Sequence, residues 1–271
     1  MQRSGTTFLH ATLNKRPDTV LFHHELWAEE FFGNFIQGWI HNENGYFCAS
    51  HIWFALLQWQ IDAEMLNPLA LRFNGAKANF NSHKSIEKIA KGWSQGFPQI
   101  KPIGIIRSDQ IAKLGSHLRA QRTGNWHQWT ANDDPGSNFS VRIKLDVHAK
   151  MYIISSILAN RKLRDFVYSL NGLLLSYEED LLKSPESCIR KIECFLGMMP
   201  YQYDFTKHTK LSPPPEQYIE DYHKLCRYSE SLERLASAAL ELEFFRLERK
   251  ARLYDGLKYY YKRLLVKIKR T

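Results

Sequence analysis

The chain has 271 residues, of which 44% are hydrophobic and 24% charged. That balance supports one large packed domain and excludes an intrinsically disordered chain. Its net charge of +9, from 37 basic and 28 acidic residues, suits an anionic ligand or an anionic surface.

No apolar run approaches the roughly 20 residues that cross a bilayer. The opening Met1-Gln2-Arg3-Ser4-Gly5 has no apolar stretch of the signal-peptide kind, so a soluble protein is expected. Thr6 to Asn14 reads as a helix, with Phe8, Leu9 and Leu13 spaced for one apolar face. After Pro17 comes His23-His24-Glu25, which leads into an aromatic, apolar stretch from Leu26 to Ile40. A second such stretch runs from Ile52 to Met65 and also reads as helical. Both stretches suit a pocket wall or a core.

Lys101-Pro102-Ile103-Gly104-Ile105-Ile106-Arg107 is a short apolar run after a proline, as in a buried parallel strand. It passes into a helix over Asp109 to Arg122, and Trp129 to Asn138 reads as a loop. A long helix is predicted from about Val141 to Leu163, then a second buried strand over Leu173-Leu174-Leu175-Ser176-Tyr177. Ser184 and Pro185 mark a helix start as cap and first residue, and Gly197 marks its end. Pro213-Pro214-Pro215 breaks the chain before a helical, basic C-terminal region over 213–271. Strands alternating with helices predict a single three-layer α/β domain with a short central parallel sheet and many flanking helices.

Cys48, Cys188, Cys194 and Cys226 form no C-x-x-C pair and no ligand spacing with histidine. Cys188 and Cys194 share one helix and are too far apart along it for a disulfide. Reduced thiols in a cytoplasm are the expectation. At the end of the chain Lys258, Lys262, Arg263, Lys267, Lys269 and Arg270 interleave with Tyr259, Tyr260, Leu264, Leu265 and Ile268. That pattern fits a solvated basic helix or an amphipathic helix resting on an acidic membrane face. No motif that reads RNA or DNA is present.

The densest chemical signal is Gln2-Arg3-Ser4-Gly5-Thr6-Thr7, just before the first helix. A helix N-terminus offers unpaired N–H groups and the positive end of its dipole to phosphate oxygens. Ser4, Thr6 and Thr7 add hydroxyl donors, Gly5 lets the backbone approach closely, and Arg3 adds a planar cation. A Walker A loop needs G-x-x-x-x-G-K-[ST], and here there is one glycine and no lysine.

The loop resembles the 5'-phosphosulfate loop of sulfotransferases that use 3'-phosphoadenosine-5'-phosphosulfate (PAPS), in the R-S-G-T-T form of carbohydrate-acting and bacterial members. Arg107 at a strand end and Ser116 on the following helix, nine residues apart, resemble the pair that holds the family's 3'-phosphate. Arg119-Ala120-Gln121-Arg122-Thr123-Gly124-Asn125-Trp126-His127 is similar to the R-A-x-Q-T-G-x-W-H stretch of bacterial trehalose-type enzymes, with Arg122 in place of that pattern's Gln. Tyr177-Glu178-Glu179-Asp180-Leu181, Pro185-Glu186 and Phe195-Leu196-Gly197 resemble the family's Y-E-D-L, P-E and F-L-G blocks, whose roles are structural. A C-terminal R-K-G phosphate motif is not visible.

The resemblance implies a P-loop-like fold and transfer of a sulfuryl group from PAPS to a hydroxyl on a small acceptor, a carbohydrate or glycolipid, without a metal. In such a reaction the N–H groups of Gly5 to Thr7 and the Arg3 guanidinium would stabilise the leaving phosphate. Glu25, 22 residues after Arg3, lies close to where trehalose-type enzymes carry a catalytic glutamate. His23 and His24 are alternative bases for the acceptor hydroxyl. The family also places a hydrophobic strand before the phosphate loop, and the chain begins at the loop itself. The expectation is a lower stability and activity than in a version extended upstream. The rival readings are a nucleotide kinase or NTPase, and a non-catalytic protein that binds anions, nucleic acid or membrane through its charge.

Overall fold

The computed structural model describes residues 6–25, 73–77, 101–123, 140–204 and 214–268, with side chains over 8–19, 101–122, 140–204 and 214–253. In chain order these form α1 (Thr6–Leu13), β1 (Thr19–Glu25), β2 (Phe73–Lys77), β3 (Ile103–Ile106), α2 (Gln110–Thr123) and α3 (Val147–Ser169). Then follow β4 (Leu173–Ser176), a π-helical turn (Tyr177–Leu182), α4 (Pro185–Leu196), α5 (Pro215–Tyr218), α6 (Tyr222–Glu233) and α7 (Ser237–Ile268). The result is a helix-rich α/β fold in which β1 pairs with β2 and β3 with β4, both in parallel. The apolar stretches 26–40 and 52–65 and the loop at 129–138 lie outside the described residues.

The described residues fall into two compact units, one running to Ser108 and resuming at Ala159, the other holding Asp109 onward and the C-terminal helices. In the first unit, Ile103 to Ile106 pair with Leu173 to Ser176 residue for residue. Parallel strands need a long crossover, and the chain between them supplies α2 and α3. Ile105 and Leu175 are buried with Leu9 and Leu13 of α1 and with Cys188, Ile189 and Ile192 of α4. Burying each large apolar side chain of this cluster stabilises the unit by roughly 1.5–3 kcal/mol.

The helix ends follow local chemistry. Gly197 adopts φ 71°, and the N–H of Met198 returns to the Glu193 carbonyl at 2.8 Å. This left-handed stop satisfies the last carbonyls and is open to glycine without strain. Pro185 opens α4, but Ser184, although at the cap position, makes no side-chain capping bond. The long helix α3 starts later than its apolar pattern predicts. Asp146 accepts from the N–H of Ala149 at 2.9 Å and so sets the start at Val147.

Two strands were not expected. Thr19 to Glu25 is a β-branched and apolar run behind Pro17, and it becomes β1 rather than a lead-in to a helix. Phe73 to Lys77 has no strand pattern of its own and is extended by pairing with β1.

The second unit has its own core, in which Ile111 and Leu114 of α2, Ile153, Ile154 and Leu158 of α3, and Leu240 and Leu247 of α7 cluster. Val141 precedes α3 as extended chain. It donates its N–H to Tyr218 O at 2.6 Å and accepts from Glu220 N at 3.2 Å. Asp109 caps α2 by accepting from Ala112 N at 2.7 Å and also accepts the Tyr222 hydroxyl. That contact and burial push the Tyr222 phenol well above its ordinary range, burial most strongly.

Candidate anion site at the strand ends

In open α/β sheets ligands gather beyond the carboxyl ends of the strands. In the first unit those ends are Glu25 for β1, Arg107 for β3 and Tyr177-Glu178 for β4. Arg107 leaves the sheet buried, 7% exposed. Its guanidinium carbon lies 4.7 Å from the centre of the Tyr177 ring, a cation–π contact. Its Nε is 3.6 Å from Glu178 Oε1, and its carbonyl accepts from Asn160 Nδ2 of α3 at 2.7 Å. The ring and the carboxylate flank the planar cation, and the amide holds the backbone that carries it.

Ser108 is the next residue of the same strand end. Its N–H and its hydroxyl both donate to Glu178 Oε2, at 3.0 and 2.9 Å. Glu178 stands on the π-helical turn that follows β4 directly. That turn is anchored by Ser176, whose hydroxyl accepts from Glu179 N at 3.2 Å and whose N–H donates to Asp180 Oδ2 at 2.7 Å. The Asp180 carboxyl sits below its ordinary value. Burial works against this, but the Lys191 ammonium and the Ser176 N–H outweigh it. π-helical turns are rare and concentrate at functional sites.

The other residues singled out by sequence are distributed as follows. Arg3, Ser4 and Gly5 lie outside the described residues. Thr6 and Thr7 are the first two residues of α1, and their side chains lie outside the description. His23, His24 and Glu25 end β1, again as backbone alone. The β1–β2 register is broken between Phe22 and Glu25, across both histidines. Such irregularities re-aim side chains and recur beside active sites. Ser116 is half-buried on α2 and belongs to the second unit, whereas Arg107 belongs to the first.

Ser108, Asn160, Tyr177 and Glu178 were not assigned to the site by sequence. Ser108 adjoins Arg107, and Tyr177-Glu178 closes the neighbouring apolar run, so the pairing of the two runs is the signal that would have found them. Among the described residues no group of His, Cys, Asp and Glu is arranged to hold a metal ion.

No family model matches this chain, and no curated protein matches it. Among solved structures, the sulfotransferase domain from the Synechococcus PCC 7002 olefin synthase is similar over 93% of this chain and 91% of its own, at 17% identity and a TM-score of 0.43.

Proposed function

We propose that this protein is a sulfotransferase that moves the sulfuryl group of PAPS to a hydroxyl of a small acceptor, a carbohydrate or glycolipid. The observation that carries the reading is Arg107, a buried residue at the carboxyl end of a parallel strand, its guanidinium against the Tyr177 ring and its backbone carbonyl held by Asn160. It stands in a chain whose Arg3-Ser4-Gly5-Thr6-Thr7 segment runs into the N-terminus of α1. Two separated phosphates are the feature that distinguishes PAPS from ordinary nucleotides. The two motifs supply one cationic, donor-rich group for each.

In this reading the chain is a single sulfotransferase domain, a three-layer P-loop-like fold with a short central parallel sheet and many flanking helices. Arg3 and the N–H groups at the start of α1 hold the 5'-phosphosulfate and take up charge on the leaving phosphate. Arg107 holds the 3'-phosphate. Glu25 accepts the acceptor proton, with His23 and His24 as the neighbouring alternatives. The reaction is an in-line displacement in which the acceptor oxygen–sulfur bond forms as the sulfur–phosphate oxygen bond breaks. 3',5'-ADP leaves, and no resident metal is required.

Three described cysteines, Cys188, Cys194 and Cys226, are free thiols, in keeping with a cytoplasmic setting. The outer face of α7 carries Leu242, Phe245 and Leu253, exposed at 72%, 48% and 69%. Exposed Arg246, Arg249, Lys250 and Arg252 lie among them, Arg246 paired with Glu243 at 3.6 Å and Arg252 with Glu248 at 3.4 Å. Apolar side chains within a basic fringe complement an anionic lipid surface, and peripheral contact of that kind belongs to the proposal.

The reading is tested by incubating the protein with radiolabelled PAPS and a panel of sugars and glycolipids in the presence of a chelator. Acceptor-dependent transfer of label supports it, and Glu25→Gln is expected to lower kcat by roughly 10²–10⁴-fold while leaving 3',5'-ADP affinity unchanged. Transfer of phosphate from ATP instead, dependent on magnesium, would replace this reading with a kinase.

A further inference from the structure

The donors around Arg107 already converge on an anion, and that anion belongs to the protein. Ser108 gives Glu178 both its N–H and its hydroxyl, at 3.0 and 2.9 Å, and Arg107 Nε faces the other oxygen at 3.6 Å. One backbone N–H, one hydroxyl and one guanidinium at a strand end form the donor set that a phosphate or sulfate oxygen takes. The Glu178 side chain is 22% exposed, so its carboxylate borders solvent rather than being locked in the core. It is carried on the π-helical turn, not in the sheet. Arg107 has in addition its contact with the Tyr177 ring, 4.7 Å from guanidinium carbon to ring centre.

We infer that Glu178 is an internal competitor for the anion site, its carboxylate standing where an oxyanion of the nucleotide enters between Arg107 and Ser108. Two anions do not share these donors, because close like charges repel strongly. The nucleotide therefore binds only the fraction of molecules in which Glu178 has swung away, and its apparent affinity is reduced by that fraction. The site selects ligands that bring a second anchoring group to offset the displacement, such as a nucleotide with two separated phosphates. A lone inorganic anion cannot do so. This selectivity rests on the PAPS reading, whereas the competition itself rests only on the geometry.

The test titrates 3',5'-ADP and, separately, inorganic sulfate into the full chain and into Glu178→Gln, by calorimetry and by the shift in melting temperature. If Glu178 fills the site about nine-tenths of the time, Glu178→Gln binds 3',5'-ADP about tenfold more tightly and gains stabilisation by sulfate that the parent lacks. Weaker or equal binding of both ligands overturns the inference and makes Glu178 a residue that orients Arg107. Should neither chain bind 3',5'-ADP while sulfate still stabilises Glu178→Gln selectively, the competitor stands and the nucleotide reading falls. Glu178→Asp, which keeps the charge but withdraws the carboxylate, should show a smaller gain in the same direction. It replaces Glu178→Gln if that variant does not fold.

Discussion

Arg16 and Glu193 are joined by a buried ion pair, Nη1 to Oε1 at 2.7 Å, across a sequence separation of 177 residues. The side chains are 3% and 2% exposed. Arg16 also grips Asp18 through Nε and Nη2, both at 2.8 Å, and donates to the Met199 carbonyl at 2.9 Å. The bond to Asp18 pushes its guanidinium further above the ordinary range, against the effect of burial. Glu193 in turn accepts from Arg190 at 2.8 Å and from the N–H of Tyr201 at 3.0 Å. The turn between α1 and β1, which joins the segments that carry Thr6 and Glu25, is thereby tied to the end of α4. Glu193→Ala removes the acceptor of three donors and should destabilise the protein by about 3 kcal/mol, read from urea unfolding. A loss of less than about 0.5 kcal/mol, the range of an ordinary surface change, would show that the network contributes little.

High pH should loosen the same unit. Burial pushes the Cys188 thiol from about 9 up to about 11, with the Asp180 charge adding to it and Lys191 opposing. Burial likewise raises the Tyr203 phenol from about 10 to about 12, opposed by the neighbouring Arg16 guanidinium. For both groups the folded value lies above the unfolded one. Their contribution is therefore complete below the unfolded value and is lost as pH rises through the folded value. Stability should fall between pH 9 and 11 through Cys188, and between pH 10 and 12 through Tyr203. Cys188→Ala and Tyr203→Phe should each flatten its own part of that decline. An unchanged pH profile in both variants would contradict this.

Gly172 guards the register of β3 and β4. Its N–H donates to Val167 O at 2.7 Å, and Leu173 N donates to Pro102 O at 2.9 Å. A Cβ at this position would meet Pro102 O at 2.5 Å and Val167 Cγ1 at 2.9 Å. The first of these is backbone and cannot rotate away. Gly172→Ala should lower stability by roughly 1–3 kcal/mol and, by shifting the strand end, weaken 3',5'-ADP binding as well. A melting temperature equal to that of the parent would mean that the turn relaxes freely.

The parts legible in the sequence were those with strong local signals. Ile103–Ile106 and Leu173–Ser176 are continuous apolar runs, α4 is bracketed by Pro185 and Gly197, and α2 follows β3 directly. Arg107 was singled out because, at the end of one of those runs and nine residues before Ser116, it resembles the strand-end arginine of the sulfotransferase 3'-phosphate site. β2 was not legible, since Phe73-Asn74-Gly75-Ala76-Lys77 has neither alternation nor an apolar run and is a strand only through its partner. The start of α3 was placed too early because Val141 and Ile143 continue its apolar pattern, although both are buried ahead of the helix. Glu178 was read as part of a structural block. Its hold on Ser108 spans 70 residues and arises from the pairing of two strands, which no local pattern encodes.

The outer face of α7 gives a separate prediction. The chain should sediment with vesicles containing an anionic lipid and not with neutral ones, and the binding should weaken steeply as salt is raised. Replacing Leu242 and Leu253 with Ser should reduce it further without changing nucleotide affinity. Equal sedimentation with neutral and anionic vesicles would remove the electrostatic part of the proposal.

The central claim is a site for two separated phosphates, and nucleotide selectivity tests it most directly. Calorimetric titration of 3',5'-ADP, 5'-ADP and 5'-AMP without magnesium should show selective binding of 3',5'-ADP. Arg107→Ala should weaken that binding by about 1.5–3 kcal/mol, as expected for loss of a hydrogen bond to a charged group, and leave 5'-AMP unaffected. Equal affinity for all three nucleotides, or an Arg107→Ala variant that binds 3',5'-ADP as tightly as the parent, would contradict the account.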